Sequence, residues 1–196
     1  MTPDETGTKE KIFQATLELV TRGADAQRLT TRQIAAEAEV NPALVNYYYQ
    51  SKENLLGQVV GAMMGEIIGR ELQNTGKDTD PRIKLKALLF VTADAAFKHY
   101  HVCRTALSIE LKRGCVNSCE MVLPLLKEIF PEAPDSKLDI LALQLMLPFH
   151  HLVIDPEIYG NYLKADFFDP LQRKNKINEM IDCILEDGKN SRPREV

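Results

Sequence analysis

Two helix starts lie only eleven residues apart in this chain, and that spacing restricts the fold more than any other feature. In Thr30-Thr31-Arg32-Gln33 the Thr30 hydroxyl can accept from the Gln33 amide while the Gln33 side chain reaches back, which makes a capping box. At Asn41-Pro42 a favoured N-cap is followed by proline at the first helical position, where the missing N–H costs nothing. The spacing predicts one helix over residues 30–38, a turn at Glu39 and Val40, and a second helix over residues 42–49. Two helices of about two turns each, joined so tightly, have the geometry of a helix-turn-helix that reads DNA.

The rest of the chain also reads as helix. Apolar positions at helical spacing predict a first helix over 8–22, stopped by Gly23. Ser51 caps a long helix, with Glu53 at its positive end, that runs to about residue 73. The polar Gly- and Pro-containing stretch 74–81 closes it as a loop. Further helices are expected over 81–99, 101–113, 117–130, 136–154 and 169–187, the last opening at Asp169-Pro170 and ending at Gly188. No segment alternates as a strand, so the expected class is all-α.

At 196 residues, a small head (1–56, with the two short helices at 30–49) and a larger helical body (57–196) fit best. Charge does not point to nucleic acid. The net charge is −4, and residues 1–56 carry 6 Lys+Arg against 8 Asp+Glu, so phosphate attraction cannot carry the reading and geometry must. The polar start MTPDETGTKEK resembles no signal peptide and no run of apolar residues approaches a membrane span, so a cytoplasmic protein with no membrane partner is expected. Cys103, Cys115, Cys119 and Cys183 then read as free thiols.

The window Thr30 to Leu56, TTRQIAAEAEVNPALVNYYYQSKENLL, resembles the signature of the TetR family of transcriptional regulators. Shared features are the Thr-capped helix, the Ile-Ala pair, a Val in the turn, and the aromatic and Ser-Lys-Glu start of the connecting helix. About a dozen ungapped positions match, each with a mechanical reason. The resemblance implies a three-helix DNA-binding head, a helical effector-binding and dimerisation body, no cofactor and no catalysis. It implies a homodimeric repressor that binds a palindromic operator and is released by a small molecule.

Carried over by position, the resemblance puts Thr31, Arg32, Gln33, Asn41, Pro42, Ala43, Leu44, Asn46, Tyr47 and Tyr48 near double-stranded DNA, and Lys52 on a phosphate. The residues agree. Val45 and Tyr49, four apart, face the core and leave Pro42, Ala43, Asn46 and Tyr47 outward. Asn46 can read adenine, Ala43 and Leu44 can touch thymine methyls, and the hydroxyls of Tyr47 and Tyr48 suit phosphates. Two departures stand out: Glu39 occupies a turn position usually held by Gly, where a left-handed backbone is strained, and Asn46 followed by Tyr47 replaces the usual aromatic of the reading helix.

Gly57, Gly61, Gly65 and Gly69 recur every four residues along the connecting helix. Each costs about 0.8–1 kcal/mol against Ala, so something must offset them. The plainer expectation is another helix packed closely on that face; the other is a hinge that transmits ligand binding to the head.

In the body, Phe90, Phe97, Tyr100, Met121, Phe149, His150 and His151 are expected to wall an apolar effector pocket, beside a helix interrupted by Pro148. By resemblance, two long helices (136–154 and 169–187) form the dimer interface with Leu141, Leu145, Ile177, Ile181 and Ile184 buried in it. His99, His101, Cys103, Cys115, Cys119, His150 and His151 match no standard zinc spacing, so no metal site is expected. Two other classes stay open: a small helical enzyme, against which stands the absence of any catalytic motif, and a DNA-organising protein that takes no ligand.

Overall fold

The computed structural model describes residues 3–25, 28–74, 76 and 79–190. Among them the fold is all-α. The head comprises α1 (Pro3–Thr21), α2 (Thr31–Glu37) and α3 (Pro42–Tyr49), and α4 (Lys52–Asn74) leads into the body. The body adds α5 (Pro81–Lys98), α6 (Tyr100–Lys112), α7 (Val116–Ile129), α8 (Asp135–Ile154), α9 (Pro156–Leu163) and α10 (Pro170–Asn190).

The helix ends follow the local chemistry. Thr30 Oγ1 accepts from the Gln33 amide at 3.2 Å and Gln33 Oε1 accepts from the Thr30 amide at 2.9 Å, completing the capping box. Asn41 Oδ1 accepts from the Ala43 amide at 2.9 Å, with Pro42 at the first helical position. Asp80-Pro81 repeats that device at the start of α5. The last helix does not stop at Gly188 but runs to Asn190. Of the loop expected at 74–81, residues 75, 77 and 78 lie outside the described residues.

α9 is absent from the sequence expectation. Its Pro, Gly and Asn read as loop, yet Pro156 opens it and Lys164 ends it in the left-handed conformation. A Cβ on Gly160 would stand 2.6 Å from the Ala165 carbonyl oxygen, so glycine is what allows that turn to close.

The head's core is Ile12, Ile34, Val45, Tyr49, Leu55 and Leu56, and it continues through Val59 of α4 into Val102, Cys103 and Ala106 of α6. Head and body therefore share a core across α4. A second cluster, from Leu85, Leu88 and Leu89 through Val122, Leu145 and Phe149 to Ile177, Ile181 and Leu185, joins α5, α7, α8 and α10. α8 is long and apolar enough to span a bilayer by length and composition, with a mean hydropathy of 1.3, but half of that window is buried inside the protein. A core helix gives the same signal.

Candidate nucleic-acid interface and body cavities

α3 is held by its inner face. Val45 and Tyr49 are buried, and the Tyr49 hydroxyl donates to the Lys9 carbonyl of α1 at 2.9 Å. Burial, with a contribution from Glu10, raises the Tyr49 phenol to about 12, so it keeps the proton it donates. Arg22 braces α1 against α2 by pairing with Glu18 and Glu37 at 2.6 and 2.9 Å.

This scaffold leaves Asn41, Pro42, Ala43, Asn46 and Tyr47 exposed along one face, with Tyr47 67% exposed and set edge-on to Tyr48. Leu44 and Tyr48 are half-buried at its margin. Arg32 is exposed on α2 and Thr31 half-buried, while Gln33 is engaged in the capping box. Lys52, at the start of α4, is partly covered and lies 4.0 Å from Glu53. The turn between α2 and α3 passes through Glu39 with φ 54°, the strained conformation expected where glycine is absent. Gln50, with φ 63°, makes the second left-handed turn, into α4.

The seven residues expected to wall an effector pocket do not come together. Phe97 stacks with Tyr100, both meet Phe168, and the Arg173 guanidinium lies 4.6 Å over the Phe97 ring. Arg173 is itself buried, pairs with Asp94 and donates to the Phe167 carbonyl, so this group fastens α10 to α5 and is filled rather than hollow. Phe90 lies beneath Lys174, Phe149 is core, and His151 faces Tyr159. His150 is 1% exposed, and Cys115 Sγ approaches its Nδ1 at 3.2 Å. Burial lowers His150 to about 4, with Glu110 opposing and His151 reinforcing. Burial raises the Cys115 thiol to about 11, with Cys119 and Glu110 adding to it. Both partners are thus neutral near pH 7 and share one hydrogen bond between the thiol and the imidazole. Among the described residues no three His, Cys, Asp or Glu side chains are placed to hold a metal.

Met121, one of the seven, lines a cavity that the sequence reading did not locate. A cleft of about 240 Å³ lies between α4, α6 and α7, floored by Gly57, Gly61 and Gly65. Its walls are Val60, Met64, Ile68, Leu107 and Met121, with Glu110, Asn117 and Ser118 at one end. The glycine stripe is therefore not a packing face: a Cβ on Gly57, Gly61, Gly65 or Gly69 would meet no atom within 4 Å beyond its own helix turn. The glycines were visible in the sequence, but periodicity alone cannot distinguish a face that is filled from one that is left empty.

The residues expected at a dimer interface lie in the chain's own core or at the edge of the groove between α8 and α10. Leu141, Leu145, Ile177 and Ile181 are buried in the chain's own core, and Ile184 is half-buried beside them. The outward face of α8 is one or two residues away in register, at Ile140, Leu143 and Pro148. Between α8 and α10 runs a groove of about 740 Å³ containing Ile140, Leu141, Pro148, Leu163, Met180 and Ile184.

Residues 12–59 match the family described as bacterial regulatory proteins, tetR family. No curated protein matches the chain. Among solved structures it is similar to Thermus thermophilus FadR, a TetR family transcriptional repressor in complex with lauroyl-CoA, at 20% identity and TM-score 0.65, covering 96% of this chain and 98% of that one. It is similar to Mycobacterium smegmatis BioQ at 16% identity and TM-score 0.64, covering 91% and 97%. A structure of BioQ with its natural double-stranded DNA operator aligns at 15% identity and TM-score 0.63, covering 91% and 98%. Residues 12–59, from α1 through α2 and α3 into α4, thus match the family of bacterial regulatory proteins, tetR family, and the chain as a whole has the fold of these TetR-family structures.

Proposed function

We propose that this protein is a cytoplasmic, homodimeric repressor that binds a palindromic operator through α3 and is released by a small molecule. The observation that carries the reading is the outward face of α3, where Asn41, Pro42, Ala43, Asn46 and Tyr47 are free of the core while Val45 and Tyr49 anchor the helix. Asn46 takes the base-reading role, since its amide can both accept and donate to adenine. Ala43 and Leu44 meet thymine methyls. Thr31, Arg32, Gln33, Tyr47, Tyr48 and Lys52 position the sugar-phosphate backbone.

Residues 1–56 act as the DNA-binding unit and 57–196 as the effector and dimerisation unit. One reading helix touches too few base pairs, and two copies set about 34–36 Å apart reach successive major grooves. The exposed apolar face of α8, at Ile140 and Leu143 beside the α8–α10 groove, serves as the pairing surface. The operator complex of BioQ and the lauroyl-CoA complex of FadR support DNA binding and small-molecule release on this fold.

Selection of bound sequences from random duplex DNA tests the proposal. The expected result is a palindrome with half-sites one helical turn apart; enrichment of no sequence above background would refute it.

A further inference from the structure

The reading helix carries a polar tie that its burial does not require. α3 has eight residues, and Val45 and Tyr49 are its buried side chains. Burial of apolar surface is non-directional, so these anchors decide which face of α3 turns inward without fixing its roll to within a few degrees. A hydrogen bond is directional and weakens steeply when bent. The Tyr49 hydroxyl makes one, to the Lys9 carbonyl of α1 at 2.9 Å, from a side chain only 1% exposed. The ring alone would fill the same core, so what the oxygen adds is orientation.

The position of the tie makes it effective. Tyr49 ends α3, and the chain leaves at once through Gln50 in the left-handed conformation. Helix ends fray, and this one is pinned to a helix of 19 residues. The Lys9 ammonium lies 5.7 Å over the Tyr49 ring, so the residue whose carbonyl accepts the bond also covers the ring. Asn46 precedes Tyr49 by three residues and occupies the adjoining row of the helix surface.

A small roll decides what α3 can read. With its side chains an α-helix has a radius of roughly 5–6 Å, so a roll of about 10° carries the tip of Asn46 sideways by about 1 Å. A two-point contact with a base tolerates about half of that. Arg32 on α2 and Lys52 on α4 do not turn with α3, so contacts from those residues to phosphate survive the roll. Loss of the tie therefore separates base recognition from backbone affinity.

We infer that Tyr49 is a positioning residue for base recognition: its hydroxyl, bound to α1, sets the roll of α3 and with it the place of the Asn46 amide against the base. The inference rests on the operator-reading role proposed for α3.

Tyr49→Phe removes the oxygen and keeps the ring. The purified full-length protein is titrated with the selected operator, with that operator altered at the adenine position of each half-site, and with random duplex of the same length. The expected result is a protein folded by circular dichroism whose affinity for random duplex stays within twofold, while its discrimination between the first two duplexes falls at least threefold. p-Aminophenylalanine at position 49 places an N–H donor where the hydroxyl stood and should restore the discrimination. Lys9→Ala keeps the carbonyl and should leave the discrimination unchanged. A Tyr49→Phe protein that does not fold, or that weakens equally on all three duplexes, would make the tie a support of the fold alone and overturn the inference. A loss that p-aminophenylalanine does not restore, or that Lys9→Ala reproduces, would overturn it too. If the natural protein discriminates and Tyr49→Phe does so equally, the role of Tyr49 fails alone. If the natural protein does not discriminate at all, the operator reading fails and the role of Tyr49 falls with it.

Discussion

His150 illustrates how much a single buried group can set. Its imidazole is enclosed with the Cys115 thiol and stays neutral, its pKa lowered to about 4 chiefly by burial. In the unfolded chain the same group titrates near 6.5, so below that pH the unfolded state takes up a proton that the folded state refuses. Stability from this site is complete above pH 6.5 and declines as pH falls toward 4, by on the order of 3 kcal/mol in all. Chemical denaturation across this range should show the decline in the natural protein and a flatter profile in His150→Gln, whatever that variant's stability at neutral pH; parallel profiles would contradict the assignment. The sequence showed a cluster of His and Cys but not its use, because pairing of residues 115 and 150 depends on how α7 packs on α8. By contrast, the outward set of α3 was legible residue by residue, since an eight-residue helix with two anchors four apart leaves only one face for Asn46 and Tyr47.

At the scale of elements, α2 and α3 form where their caps place them, and α4 is the helix that departs from ordinary rules. Its glycines forgo helix stability without a packing contact in return. Gly61→Ala and Gly65→Ala should each raise unfolding stability by about 0.8–1 kcal/mol, measured by urea denaturation, and should add in the double variant. A loss of stability would mean that the glycine face is packed after all. Cap chemistry is local and therefore readable, which is why the starts of α2, α3 and α5 were legible. α9 was not, because a helix of eight residues containing Pro, Gly and Asn owes its existence to tertiary contacts rather than propensity. The exposed face of α8 was not legible for a related reason. A helix apolar nearly all round offers two candidate faces, and the sequence does not say which one the chain buries against itself.

At the scale of the whole molecule, the continuous core through α4 joins the head to a body whose α8 exposes Ile140 and Leu143 on its outer face. Leu143→Asp lies on that face and away from the core, so it should convert a dimer to a folded monomer and weaken operator binding at least tenfold, as read by sedimentation and by titration; an unchanged dimer would place the pairing surface elsewhere. The head is acidic on balance, with 6 basic against 8 acidic residues in positions 1–56, so non-specific attraction to phosphate is small and recognition must rest on base contacts. That makes specificity, rather than affinity alone, the decisive quantity. The most direct measurement compares binding of the selected operator with binding of a variant altered at the adenine position of each half-site, for the natural protein and for Asn46→Ala. A lost bidentate contact costs about 1–3 kcal/mol, so the natural protein should discriminate by tenfold or more and Asn46→Ala should lose most of that discrimination while still folding and pairing. Undiminished discrimination by Asn46→Ala would contradict the assignment of α3 as the reading helix.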